Sequence, residues 1–147
     1  MSYQLNDTAY SILALGGVMP TMKMQKLVYY TNIQCLKDTG EFLFPEDFQA
    51  WTVGPVCWQL FKKHRGLFCI NIDDFRQRCS KARLLEEFYL RMARKIVAQY
   101  GGYTGQELAE QFKQPDTPWM QARGDLKSYD PGTETITKES LRAYYLD

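Results

Sequence analysis

The sequence predicts an all-α fold: a compact multi-helix single domain over residues 1–147, with one small β element near Gln49 to Val53. Three observations predict it. Leu85, Phe88, Tyr89, Met92, Ile96 and Tyr100 recur at three- and four-residue steps, the period of a helix with one buried face over about five turns. Met24, Leu27, Val28, Thr31 and Cys35 form a second stripe, widened by Tyr29, Ile33 and Leu36, as expected of a central helix packed on more than one side. Helix caps also stand where the stripes begin, of which Thr104-Gly-Gln-Glu107 is the clearest.

Taken in order, Asn6 or Asp7 is expected to cap a first helix that buries Ala9, Ile12 and Leu13, ending at Gly16-Gly17. After a turn at Met19-Pro20-Thr21, the central helix runs from about Met22 to Asp38 and stops at Gly40. Phe42 to Val56 contains Pro45, Gly54 and Pro55, which exclude a continuous helix. Gln49 to Val53 suits a short strand, leading into a helix from Val56 to His64 with Pro55 in its first turn. That helix is expected to bury Val56, Leu60 and Phe61 and to end at Gly66. Ser80 is expected to cap the five-turn helix, with Arg83, Glu87, Arg91 and Arg94 on the outer face and Gly101-Gly102 as its stop. Thr104 opens a helix burying Leu108 and Phe112. Thr117-Pro118 opens a short one carrying Trp119 inward or into a groove. Thr137 caps the last, with Leu141, Tyr144 and Tyr145. The count is six or seven helices.

Composition bounds the function. A chain of 147 residues buries roughly two-thirds of the surface it exposes when unfolded, so it needs no metal or disulfide to fold. The formal net charge of +1 gives no global pull toward nucleic acid or membrane, and a nucleic-acid role ranks low. Charge is nonetheless uneven: from Lys62 to Lys95 there are ten Lys or Arg against four Asp or Glu, and from Thr104 to Asp147 eight acidic residues against five basic. Such a layout can steer a charged partner, although a solvated helix face explains it as simply. The opening residues show no signal peptide, and no stretch approaches the ~18 apolar residues of a membrane span. Cys35, Cys57, Cys69 and Cys79 then suit reduced thiols in a cytoplasmic protein. A zinc site from Cys57, His64, Cys69 and Cys79 fits poorly, because its nearest ligands, His64 and Cys69, have four residues between them.

No constellation for catalysis stands out, and the expectation is that the protein is not an enzyme and needs no cofactor. His64, the single histidine, lies in Lys62-Lys63-His64-Arg65 and suits a solvated residue at a helix C-terminus. Glu86 and Glu87 are helix neighbours that point about 100° apart and cannot share a face as acid and base. Neither Gly-Gly pair has the spacing of a phosphate loop. The aromatic load points to recognition instead. Trp and Tyr anchor protein interfaces, and Trp51, Trp58, Trp119, Tyr29, Tyr30, Tyr144 and Tyr145 exceed what a small core needs, so at least two are expected on a binding surface.

Asn6-Asp7-Thr8-Ala9-Tyr10 followed by Met22-Lys23-Met24-Gln25-Lys26-Leu27-Val28-Tyr29-Tyr30 resembles the opening of the Panacea domain, the SocA/GepA-like family of prophages and bacterial toxin–antitoxin loci. Phe48-Gln49-Ala50-Trp51-Thr52-Val53-Gly54-Pro55-Val56 is similar to its second signature, Thr117-Pro118-Trp119-Met120-Gln121-Ala122-Arg123 to its third, and Ile136 to Tyr145 to its closing helix. The order Pro20-Thr21 reverses the family's Thr-Pro, and a histidine common before the Pro-Trp motif is missing from Phe112 to Thr117. The resemblance implies an antitoxin that binds and neutralises a co-encoded protein toxin. Alternatives are an inhibitor of a host or defence protein, or an adapter delivering its client to a protease. The residues expected to bind are Tyr30, Trp51, Trp58 and Trp119, with Arg91 and Arg94 as a charged rim. Gly54-Pro55 is expected to form the turn that aims Trp51 and Trp58.

Overall fold

The computed structural model describes residues 3–127 and 129–146. Helix α1 (Tyr3–Gly16) buries Leu5, Ala9, Ile12 and Leu13. Asn6 and Asp7 lie inside it rather than at its cap, and Gly17 closes it with φ +78° and an N–H donated to Leu13 O. Strand β1 (Met19–Pro20) leads straight into α2 (Thr21–Thr39). Every α2 residue from Met24 to Leu36 is buried, because α1, α5, α6, α8 and strand β3 all pack around it. Gly40 ends α2 in the left-handed region, φ +81°, which glycine adopts without steric penalty.

Strand β2 (Phe48–Trp51) and β3 (Gly54–Val56) form a hairpin, pairing Gln49 with Val56, Ala50 with Pro55 and Trp51 with Gly54. Pro55 is therefore in a strand and not in a helical first turn. It is tolerated because β3 is the outer strand of a three-stranded sheet, where a missing N–H breaks no ladder. Helix α3 (Trp58–His64) starts two residues later than expected, and β4 (Cys69–Ile70) pairs antiparallel with β1. A helix that the sequence pattern did not suggest follows: α4 (Ile72–Arg78), opened by an Asn71–Asp74 capping box.

Helix α5 (Glu87–Tyr100) is shorter than expected, and Ser80 does not cap it. Residues 80–86 are instead tied to α1 by Arg83 N donating to Asp7 Oδ1 (3.1 Å) and Leu85 N to Ser11 Oγ (2.9 Å). The second half of the chain follows its caps. α6 (Gly105–Phe112) has the Thr104–Glu107 box, and α7 (Pro118–Arg123) has Thr117 as cap with Pro118 in the first turn. After β5 (Thr135–Ile136), which joins β2, α8 (Lys138–Leu146) begins where Thr137 Oγ1 accepts from Ser140 N. The fold is thus mostly helical, with eight helices among the described residues, and the all-α expectation is corrected by two small antiparallel sheets. No helix among the described residues is long and apolar enough to cross a membrane.

Candidate functional site

The two-residue turn Thr52-Val53 reverses the chain between Trp51 and Gly54, and α3 then sets Trp58 and Phe61 one turn apart on a single face. The three rings meet. Trp51 and Phe61 centroids are 5.0 Å apart, Trp58 and Phe61 5.5 Å, Trp51 and Trp58 6.5 Å. Arg65, one further turn on, places its guanidinium 5.3 Å from the Trp58 ring centre and 5.6 Å from that of Phe61. Trp58 is 38% exposed and Val53 at the hairpin tip 42%, while Trp51 and Phe61 are half-buried. Contiguous aromatic faces at the surface, stiffened by their own stacking, have little rotamer entropy left to lose when a partner covers them.

The surface is held from beneath by Gln25, buried in the middle of α2. Its Oε1 accepts from Cys57 N (2.9 Å) and its Nε2 donates to Cys57 O (3.2 Å), satisfying both backbone groups at the entry to α3. The same Nε2 lies 3.0 Å from His64 Nε2. An amide nitrogen only donates, so His64 Nε2 accepts and the ring is neutral. His64 is 1% exposed, which corrects the expectation of a solvated helix-end histidine. Burial, aided by the nearby Arg78 charge, lowers its pKa from 6.5 to about 4. The unfolded chain therefore binds more protons between those values. Stability from this joint is complete above pH 6.5 and is lost as pH falls toward 4. After allowing for screening at a helix end, the loss amounts to about 2 kcal/mol. The expected result is a drop in the unfolding free energy, taken from urea curves at pH 7 and pH 4.5, that is larger by that amount in the native chain than in His64→Gln; equal drops would remove His64 as the cause.

Two expected contact residues are not at the surface. Tyr30 is 8% exposed, stacks on Tyr100 (4.4 Å, 11°) and donates from its hydroxyl to Gln111 Oε1 (2.8 Å). Trp119 is 2% exposed, with Nε1 donating to Trp51 O (2.7 Å) and Arg123 lying over the ring at 4.9 Å. Both are core residues as placed here; Trp119 reaches the surface only by holding Trp51. Arg91 and Arg94 are exposed on α5, which packs chiefly on α1 and α2 rather than on α3. Arg94 pairs with Glu87 (2.6 Å), and Arg91 lines a separate cavity with Asp38, Phe88 and Lys95, so no rim forms around the tryptophans. Of the seven aromatics singled out in the sequence, Trp58 and Tyr144 are exposed. Phe61, Arg65 and Gln25 were missed. Phe61 looked like core, and Gln25 is a polar residue in a stripe whose breadth was its only signal.

Cys35, Cys57 and Cys79 are buried, Cys69 is exposed, and all four are free thiols. Burial pushes the Cys57 thiol up to about 11, so it is protonated and unreactive at neutral pH. Among the described residues no group of three or more His, Cys, Asp and Glu gathers in a metal-binding arrangement. A family model described as antitoxin SocA-like, Panacea domain, matches residues 24–120, a span that contains the hairpin, α3 and Trp119. No curated protein and no solved structure matches the chain.

Proposed function

The chain belongs to the SocA-like Panacea antitoxin family, and from that premise we propose that it neutralises a protein toxin by covering it with the Trp51–Trp58–Phe61 surface in a stoichiometric complex. The observation that carries this reading is the exposure of Trp58 within a ring cluster that the hairpin, Gln25 and Trp119 all hold in place. A large aromatic left at the surface by so much supporting structure suits a contact residue better than a packing residue. The reading is of a binding protein and not an enzyme. It is supported by the neutral, buried His64 and by the protonated Cys57, neither of which suits nucleophilic or general-base work.

Expression with the product of the adjacent gene tests it: growth rescue and co-purification in equal amounts are expected. Trp58→Ala should weaken that complex by about 2 kcal/mol, roughly thirtyfold, while leaving the melting temperature nearly unchanged. Undiminished affinity in this variant would sink the assignment of the surface. Capture of a host or defence protein in place of the neighbour would replace the toxin as target, and capture of a protease subunit together with the client would make the chain an adapter.

A further inference from the structure

The three-stranded sheet has the order β3-β2-β5, so its outer edges belong to β3 and β5, and only one of them is closed. The register fixes which backbone groups point outward. Ala50 N donates to Glu134 O (2.8 Å), and residues along an antiparallel pair alternate between bonded and non-bonded positions. Thr135, opposite Gln49, is therefore a non-bonded position, and its N–H and C=O point away from β2. By the same count from the Trp51–Gly54 pair that closes the hairpin, Pro55 is the outward residue of β3. The β3 edge thus offers no N–H there, and it packs on α2. The β5 edge presents both a donor and an acceptor, and among the described residues no other backbone group bonds to either. Thr135 is exposed. An unpaired strand edge of this kind is a template for one more strand.

The surroundings leave room for that strand and bear on its chemistry. Thr135 and Thr137 line a groove of about 370 Å³ with Ala122 of α7 and with Glu139, Ser140 and Ala143 of α8. Apart from Glu139 these are short side chains, which let another main chain come close. Glu139 is the only charged group in that lining. Among the described residues neither it nor Glu134, next to Thr135, forms a salt bridge. Resting on the reading above, we propose that the toxin adds an extended segment to the β5 edge as a fourth strand. The segment bonds to Thr135 N–H and C=O, and a lysine or arginine on it reaches Glu139. Gln49 and Trp51, two residues apart on β2, share the sheet face of Thr135, and Trp51 Nε1 donates to Gln49 Oε1 (2.7 Å). The added strand therefore extends the sheet face on which Trp51 lies. A second copy of this chain fits less well, because pairing two β5 edges gathers the Glu134 and Glu139 carboxylates of both copies on one small surface.

The test is amide exchange at Thr135, read by NMR on the native chain alone and in its complex with the product of the adjacent gene. In the free chain Thr135 N–H should exchange freely while Ile136 N–H, which faces β2, is protected. In the complex Thr135 exchange should slow by about a hundredfold. Thr135→Pro removes the donor where the β2 ladder needs none, as Pro55 does on the opposite edge. It should weaken the complex about tenfold with the melting temperature nearly unchanged, whereas Thr135→Val keeps the N–H and should bind as the native chain does. Glu139→Lys should weaken the complex about fivefold at about 50 mM salt. A complex that leaves Thr135 exchange unchanged would overturn the proposal, whatever the proline variant does. Equal losses in the valine and proline variants would overturn it too, by assigning the contact to the side chain, and full affinity in Glu139→Lys would remove the basic residue. Protection of Thr135 that grows with the concentration of the chain alone would put a second copy in place of the toxin segment. If Trp58→Ala breaks the complex while Thr135 stays unprotected, strand addition is wrong and the aromatic surface stands. No complex at all with that product removes the reading and this inference together.

Discussion

Alanine at Trp119 is expected to lower the unfolding free energy by about 4 kcal/mol, the range for deleting a buried tryptophan from a core. The ring is 2% exposed, so truncation leaves a cavity rather than a dent. Two further contacts go with it. Trp51 O loses its donor, and the Arg123 guanidinium loses the ring beneath it while still donating to Ala50 O (2.8 Å) and to the Lys127 and Asp130 carbonyls. For a domain of this size the melting temperature should fall by about 12 °C. Rescue of a poisoned cell should fall with it, through loss of folded protein and displacement of Trp51. Trp119→Phe separates the causes, since it keeps most of the apolar volume and drops only the indole donor, at about 1–2 kcal/mol. Calorimetry on the two variants decides: an alanine variant within 1 kcal/mol of the native chain would mean that Trp119 is not the hairpin's support.

The place of Trp119 could be half read from the sequence. Thr117-Pro118 announced a helix start, and a first-turn tryptophan after such a cap points back toward the body of the domain. What it touches could not be read, because Trp51 is sixty-eight positions away in the chain. The same division runs through the fold. Helices with local stop and start chemistry, such as α2 ending at Gly40 and α6 opening at Thr104, were legible to within a residue or two. The spacing of α5 continues through Leu85 and predicts helix over residues 80–86, yet Asp7 and Ser11 of α1 accept from the Arg83 and Leu85 N–H groups instead. A tertiary hydrogen bond there outweighs a weak propensity. The β1–β4 pair, two residues long on each side, carries no periodicity to detect.

The candidate site divides likewise. Trp51 and Trp58 stood out as large aromatics beside a Gly-Pro turn, and the structure brings them together. Tyr30 and Trp119 had the same chemistry and lie in the core, since residue type alone cannot tell an interface anchor from a packing one. The sequence points to a charged rim on α5, which carries the clearest amphipathic pattern. Arg65, at the end of α3, lies over Trp58 instead, and that end is tied down through the Lys63 and Arg65 carbonyls by Arg78 of α4, a helix the pattern does not suggest. Its Asn71–Asp74 box uses Asn and Asp where the usual signature has Ser or Thr followed by Glu or Gln.

Replacing Lys26 by methionine is expected to stabilise the fold by about 3 kcal/mol at pH 7. Lys26 is 2% exposed on α2, and Nζ has one long hydrogen bond, 3.4 Å to Met22 O of its own helix. Among the described residues no carboxylate pairs with it. Burial lowers its pKa from 10.5 to about 8, which says that the folded protein holds the charged form at a penalty. The side chain lies beneath the hairpin, where a Cβ on Gly54 would come 3.0 Å from its Cε, so a methionine of similar length fills the same slot without the ammonium. Linkage gives an independent reading of the same quantity. Between pH 8 and 10.5 the unfolded chain binds the extra proton, so native stability rises with pH across that window and the penalty is fully present below it. Ionisation of the unfolded tyrosines, whose folded partners Tyr29 and Tyr145 are held above 10 by burial, reverses the trend near the top. Denaturant midpoints at pH 7 and pH 9.5 therefore converge between the two proteins as pH rises, with the methionine variant always the higher. Partner affinity should not change, because Nζ is sealed from any surface contact. A methionine variant less stable than the native chain at pH 7 would show that the ammonium is satisfied in the fold, and the assignment of an uncompensated buried charge would be withdrawn.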